Sequence, residues 1–135
     1  MTKPRSSACT TTYPYGNTFK KGACNTGQES PIERLFGPNP TYNFTELNDP
    51  RCDQLSNTLA VSGSFPECVT PEGVYDMAGN LDEWVDHILP TGHGVFRGGY
   101  FVDDVINGPG CTYRTVAHAP SYHDYSLTGR CCSTE

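Results

Sequence analysis

An acidic segment in the middle of the chain carries the residues best suited to bind a metal ion. The side chains with oxygen atoms lie within eleven residues around one tight turn, and they are Asp76, Asn80, Asp82, Glu83 and Asp86. A hard cation such as calcium takes about six to eight oxygen ligands, from carboxylates and from the carbonyls of irregular loops. The segment therefore indicates a calcium site. The alternative is the acidic first turn of a helix with Asn80 as its N-cap, since the spacing is not that of an EF-hand.

Short elements are expected to position this segment. From Leu81 onward, apolar residues recur at i, i+3, i+4 and i+7, which predicts a short helix from Asn80 to Ile88, the first of the chain. The stretch from Gly94 to Phe101 predicts a strand interrupted by a glycine pair, and residues 126–132 predict a closing strand. Four prolines between residues 31 and 60 exclude one continuous helix there.

Composition bounds the fold and the classes of function. With 135 residues, the chain is long enough for one domain, and 14 glycines and 11 prolines predict that loops dominate it. Hydrophobic residues make up only 36%, so the core needs support from another source. The net charge of −6 and the lack of a basic run argue against nucleic acid as a partner. The sequence has neither an apolar span of about 18 residues nor the apolar region of a signal peptide.

Cysteine is the expected support. The chain has seven cysteines, which are Cys9, Cys24, Cys52, Cys68, Cys111, Cys131 and Cys132. None form a C-x-x-C pair, which argues against structural zinc and thioredoxin-like chemistry. Wide spacing in an acidic, loop-rich chain favours disulfides and an extracytoplasmic location, that is periplasmic, outer-surface or secreted. Because the number is odd, one thiol is free or pairs with another polypeptide. Since no signal peptide accompanies them, we expect the natural N-terminus, or a partner segment, to lie outside this sequence.

Ordered motifs give the chain a family resemblance. The block GVYDMAGNLDEW, residues 73–84, is similar to the G-x-Y-D-M-x-G-N-x-x-E-W signature of the formylglycine-generating enzyme and sulfatase-modifying factor family. TYPYGN resembles that family's Y-P-W-G-N, and FRGGYF resembles its R-G-G-S-[WY] strand. The segments CTYR and GRC, at 111–114 and 129–131, resemble its C-x-x-R and G-F-R-C ending. The resemblance spans residues 9–132.

The resemblance implies a fold and a domain organisation. The expected fold is α+β and loop-rich, a variant of the C-type lectin fold with little regular secondary structure, disulfide bonds and calcium. Members of the family have a longer segment before Y-P-W-G-N than this chain has. We therefore expect residues 1–135 to form a single, partial domain whose N-terminal half is missing or lies on another chain.

Two calcium sites of the family can be carried over to this sequence. The first would use the side chains of Asn25 and Asp53 with the carbonyls of Thr26 and Leu55. Its residues follow YPYGN and precede LAVSGSF at the family's spacing.

The second site would use the acidic segment itself. Its ligands would be the carboxylates of Asp76 and Glu83 and the carbonyls of Gly79 and Leu81. The expected cofactor is thus one or two calcium ions.

The resemblance also implies disulfide pairs. The family pairs a cysteine equivalent to Cys9 with that of C-x-x-R, here Cys111, while Cys24 and Cys68 flank the first calcium segment and form a second candidate pair. The G-F-R-C cysteine of the family pairs with the N-terminal half. Cys131 or Cys132 is therefore expected either to reach a separate polypeptide or to remain a buried free thiol.

This chain lacks the residues that the family's oxidase chemistry requires. That activity uses two cysteines that bind copper(I), which requires soft thiolate ligands. From Tyr100 to Gly110 the chain has no cysteine, and Cys111 aligns with the structural cysteine instead. No catalytic residue and no copper are therefore expected. The sequence favours a non-catalytic, calcium-stabilised binding or structural module of an extracytoplasmic assembly. The alternative is a metal-dependent oxidoreductase of the same family with a non-standard active site.

Other residues leave the partner open. The expected partner is another polypeptide that completes the domain, or a larger protein assembly. Tyrosines near the end of the chain also suit a peptide or a glycan, although ordinary packing explains them equally well. The four histidines are scattered over the chain, and His118 is expected to be a packed or solvated loop residue.

Overall fold

A computed structural model describes residues 9–131 of the chain. Two short helices come first, α1 at Pro31–Phe36 and α2 at Phe44–Leu47, followed by a 3-10 turn at Pro50–Asp53. Four strands follow: β1 at Asp82–Ile88, β2 at Gly94–Arg97, β3 at Arg114–Thr115 and β4 at Leu127–Gly129. A second 3-10 turn, Gly110–Thr112, precedes β3. The remaining described residues form turns and loops, so the α+β, loop-rich expectation is confirmed.

The strands form one mixed sheet in the order β3-β2-β1-β4. β1 pairs with β2 and β2 with β3 in antiparallel fashion, whereas β4 runs parallel to β1. The turn between β1 and β2 is closed by the Leu89 N–H, which donates to the His93 carbonyl at 2.9 Å. Because β4 lies beside β1, the C-terminal end of the described chain reaches the acidic segment.

The predicted helix from Asn80 to Ile88 is wrong. The structure has strand β1 there, and Asn80 is a residue of the preceding turn, not a helix N-cap. A seven-residue element is too short for periodicity to separate helix from strand, and Trp, Val and Ile favour strands. A bulge between Val85 and Ile88 also breaks the simple alternation of a strand. The helices α1 and α2, which come earlier, were not predicted.

The other predicted strands are present in shorter form. β2 ends at Arg97, directly before the glycine pair, and β4 covers Leu127–Gly129 within the predicted 126–132. Gly98 lies in the left-handed region at φ 98°, and a Cβ there would stand 2.7 Å from the Met77 carbonyl oxygen. The strand ends at the pair because the chain passes too close to the Met77 loop for a side chain.

Two disulfides lie in the core, and they join the pairs that the family resemblance implies. Cys9 bonds to Cys111 and Cys24 bonds to Cys68. Together with Ala78, three of these cysteines form a buried cluster. The first disulfide spans 102 residues, and such a loop removes about 4–5 kcal/mol of unfolded-state entropy in the chain-entropy model. Disulfides therefore supplement a core that is poor in aliphatic side chains.

Within residues 9–131, no helix is long and apolar enough to cross a membrane.

Candidate functional site

A surface cavity of about 310 Å³ lies where the acidic segment meets strand β4. Its lining comes from the 62–83 region and from the chain end, and comprises Ser62, Asp76, Asn80, Leu81, Glu83, Thr128, Gly129, Arg130 and Cys131. Three of the four residues predicted for the second calcium site thus line one cavity, and the fourth, Gly79, lies in the turn beside it. This cavity, the β4 cavity, is the candidate functional site.

Asp76 is held on one wall by backbone contacts. Its N–H donates to the Cys68 carbonyl at 3.0 Å, and its carboxylate Oδ2 accepts from the Gly63 N–H at 2.9 Å. The residue adopts a left-handed conformation at φ 60° and is 7% exposed. Because Cys68 is fixed by its disulfide, the Asp76 carboxylate has a defined position.

The turn that follows carries the two carbonyl groups of the predicted site. Gly79 has φ 71°, and a Cβ on it would stand 2.5 Å from the carbonyl oxygen of Asn25. Its N–H donates to the Gly98 carbonyl at 2.8 Å, which fixes the turn against the loop after β2. Among the described residues, no hydrogen bond goes to the carbonyl oxygens of Gly79 or Leu81. Both oxygens therefore remain available as ligands.

Glu83 supplies the second carboxylate and is already paired. The Arg130 guanidinium donates from Nε to Oε2 at 2.8 Å and from Nη2 to Oε1 at 2.5 Å. Nη2 also donates to the Tyr75 carbonyl at 3.0 Å. The Glu83 side chain is 15% exposed, so the pair is partly shielded from water. Sequence reasoning matched Arg130 to a family motif but gave it no role; its position before Cys131 in G-F-R-C was the available signal.

The donors at the β4 cavity fit a calcium ion in kind. Two carboxylates and two free carbonyls are hard oxygen ligands, and water would complete the coordination. Within residues 9–131 no group of three or more His, Cys, Asp or Glu side chains is arranged to hold a metal. A cation here would therefore depend on backbone oxygens as much as on carboxylates, as the family resemblance implies.

Two of the four groups predicted for the first calcium site already make hydrogen bonds within the fold. The Asn25 side-chain nitrogen donates to the Thr58 carbonyl at 2.9 Å, and its oxygen accepts from Gln28 at 3.2 Å. The Leu55 carbonyl accepts from the Thr58 hydroxyl at 2.7 Å. Thr58 thus connects Asn25 and Leu55.

Asp53 stands apart from these contacts. Its Oδ1 is buried and has no hydrogen-bond partner among the described residues. Burial, together with the Asp124 carboxylate, raises the pKa of Asp53 to about 6. A buried carboxylate oxygen without a donor is a group that a bound cation would satisfy.

The two described cysteines outside the disulfides differ in environment. Cys52 is fully buried, and burial, with a smaller contribution from Asp49, raises the pKa of its thiol to about 11. Cys131 is exposed and lines the β4 cavity. Cys132 lies outside the described residues. Cys131 is therefore not a buried thiol, and its pairing with a separate polypeptide stays a prediction.

In the family, the copper-binding cysteines follow the glycine pair. In this chain the same region holds carboxylates and tyrosines instead. Asp103 accepts from the N–H groups of Val105 and Ile106 at 3.0 and 3.2 Å, and from the Tyr113 hydroxyl. Asp82, the first residue of β1, accepts from the Gly99 N–H at 2.9 Å. Burial raises the pKa of the Asp82 carboxyl to about 8. Both carboxylates are therefore hydrogen-bond acceptors within the fold. The spacing of the acidic segment does not reveal this role for Asp82.

His118 is packed. Its ring stacks on Phe96 at 5.7 Å and on Tyr122 at 3.9 Å between centroids.

Comparison with known proteins agrees with the motifs. The sequence model of the sulfatase-modifying factor enzyme 1-like domain matches residues 5–124. The chain belongs to the sulfatase-modifying factor family. No curated protein sequence matches it. Membership agrees with the loop-rich fold, and the family's signature block, residues 73–84, contributes four residues to the lining of the β4 cavity.

Proposed function

We propose that this chain is a non-catalytic, calcium-stabilised binding or structural module of an extracytoplasmic protein assembly. The observation that carries the proposal is the β4 cavity, which gathers Asp76, Leu81 and Glu83 and opens to solvent beside the Cys131 thiol. The residues proposed as calcium ligands and the thiol proposed as an attachment point thus line the same cavity.

Calcium would bind three adjoining parts of the chain at once. Asp76 belongs to the loop after Cys68, Gly79 and Leu81 belong to the next turn, and Glu83 belongs to β1. A cation bound to all four would cross-link loop, turn and sheet. The two carboxylates would supply the charge, and a ligand that binds only the folded state stabilises it by mass action.

The oxidase chemistry of the family is not proposed for this chain. Copper(I) requires soft thiolates, and the sequence between Gly99 and Cys111 has none. The Asp103 carboxylate in this segment already accepts hydrogen bonds from the backbone N–H groups of Val105 and Ile106. Both chemistry and geometry therefore favour a scaffold role for this segment.

A second polypeptide is the proposed partner. Cys131 is exposed at the end of the described chain, and two disulfides elsewhere fit an oxidising compartment. In such a compartment an exposed thiol can form a disulfide with a cysteine of another chain. The partner would complete the domain or belong to a larger assembly.

Metal analysis and calcium titration test the calcium part of the proposal. The purified protein is expected to bind calcium in isothermal titration calorimetry and to unfold at a higher temperature in calcium than in chelator. Asp76→Asn should abolish this difference, because it removes a charge and retains an oxygen that can accept from Gly63. Asp86 is an exposed carboxylate on β1 that is not among the proposed ligands, so Asp86→Asn should retain the calcium-dependent difference in unfolding temperature.

The non-catalytic part has its own test. Stoichiometric copper or iron in the purified protein, with oxygen consumption on a cysteine-containing peptide, would overturn it and favour the oxidoreductase alternative.

A further inference from the structure

The Arg130 guanidinium covers the carboxylate that calcium would need at the β4 cavity. It contacts both oxygens of Glu83 through a two-point fork and also reaches the Tyr75 carbonyl, directly before Asp76 in the chain. Such bidentate pairs are among the stronger charge-assisted hydrogen bonds. Among the residues that line the cavity, Arg130 alone carries a positive charge.

Arg130 therefore already supplies positive charge at the position where a bound cation would supply it. The described lining has two carboxylates, on Asp76 and Glu83, and the guanidinium neutralises one of them. A calcium ion bound to Glu83 would bring two positive charges close to the guanidinium. Like charges repel strongly in a partly buried site, so full occupancy by both is unfavourable.

The same ion pair also fastens the chain end. Strand β4 contains only Leu127–Gly129, and its pairing with β1 stops at Gly129 opposite Trp84. Beyond this point Arg130 attaches the chain to the Glu83 side chain, and Cys131 follows at once. The Arg130–Glu83 pair therefore also holds the end of the described chain beside the cavity.

We propose that Arg130 is an internal competitor of calcium for Glu83, so that its guanidinium lowers the calcium affinity of the β4 cavity. This inference rests on the calcium site of the proposed function. It makes Arg130 the residue that sets the calcium concentration at which the β4 cavity is occupied.

The first experiment compares calcium affinity in the full chain by isothermal titration calorimetry. Arg130→Gln removes the competing charge and should bind calcium about tenfold more tightly than the unmodified chain, within the range of typical coupling between sites. Arg114→Gln removes the same charge from an exposed position on β3 and should leave affinity unchanged. Equal or weaker binding by the Arg130 variant would overturn the inference.

The second experiment measures the thermal unfolding midpoint as a function of calcium concentration. Arg130→Gln should reach half of its calcium-induced rise at a calcium concentration about tenfold lower than the unmodified chain, and Arg114→Gln should match the unmodified chain. The same half-saturating concentration in all three proteins would contradict the competition.

The two proposals fail differently. If the Arg130-containing chain binds no calcium but the Arg130→Gln variant does, competition is supported and constitutive stabilisation by calcium is overturned. If both bind calcium equally, the calcium site stands and the competition fails. If neither binds calcium, both proposals fail. Circular dichroism of each variant establishes that it is folded.

Discussion

Asn25 and Asn80, which are 55 residues apart, bond to each other twice. The Asn25 side-chain nitrogen donates to Asn80 Oδ1 at 3.0 Å, and the Asn80 N–H donates to the Asn25 carbonyl at 2.8 Å. Asn80 also exchanges two hydrogen bonds with the backbone of Ala60. One side chain thus ties together the segment after YPYGN, the loop at Ala60 and the turn before β1.

Replacing Asn80 with Ala should destabilise the fold by about 2–4 kcal/mol, because several partly buried polar groups lose their partners at once. Asn80 also has φ 63°, a conformation that costs Ala energy. Asn57→Ala is the matched control, since Asn57 is exposed with φ 56°. Urea unfolding would measure the difference. Equal losses in the two variants would mean that backbone conformation, and not the side-chain bonds, accounts for the effect.

Gly79→Ala should cost at least about 2 kcal/mol more than Gly92→Ala. Both glycines have positive φ, at 71° and 83°. A Cβ at Gly79 would stand 2.5 Å from the Asn25 carbonyl oxygen, whereas one at Gly92 meets nothing within 4 Å. Because the obstructing atom belongs to the backbone, it cannot move aside cheaply. Thermal unfolding of both variants would measure the difference. Similar unfolding midpoints would show that the loop at Asn25 shifts to make room for the added Cβ.

The Asp82 carboxyl should make stability fall as pH rises. Burial raises its pKa to about 8 in the fold from an ordinary value of 3.8, so the folded state holds a proton that the unfolded state releases. The contribution is fully present below about pH 4 and is lost as pH rises to about 8, at no more than about 1.4 kcal/mol per pH unit.

Asp82→Asn should flatten this fall between about pH 7 and 8, where the Asp53 carboxyl, with a pKa of about 6, is already mostly ionised. The amide keeps an oxygen for the Gly99 N–H and mimics the protonated acid. Urea unfolding in chelator at several pH values would measure the slope. An unchanged slope in Asp82→Asn, or an equal change in the exposed Asp86→Asn, would contradict the assignment.

Cys52 and Cys131 should differ in reactivity toward a thiol reagent at pH 8. The pKa of Cys52 is raised to about 11, so only about one thiol in a thousand is ionised, and its side chain is buried. Cys131 is exposed. Peptide mapping after brief alkylation should find the label on Cys131 and not on Cys52, while both should react in denaturant. Rapid labelling of native Cys52 would show that the loop around it opens readily.

Spacing in the sequence determined several features of the site. GVYDMAGNLDEW placed Asp76, Gly79, Leu81 and Glu83 within a short stretch, and local geometry brings such residues to one place in the fold. The positions of Cys9 and Cys111 relative to recognisable motifs implied their pairing, although 102 residues separate them. Composition alone indicated that loops and disulfides would dominate.

Local patterns failed where a partner segment decides the outcome. Residues 82–88 have helical spacing but form a strand, because β2 and β4 supply hydrogen-bonding neighbours on both sides. Short periodic runs fit either structure in isolation, and only the pairing selects one.

Only the tertiary structure decided what surrounds the predicted ligands. It places Arg130 on Glu83 across 47 residues and leaves an oxygen of Asp53 buried without a donor among residues 9–131. It also engages Asn25 with Thr58 and Asn80. Sequence spacing can name the oxygen atoms of a site. Which of them are free, and which are already neutralised, depends on side chains distant in sequence that folding brings within hydrogen-bond range.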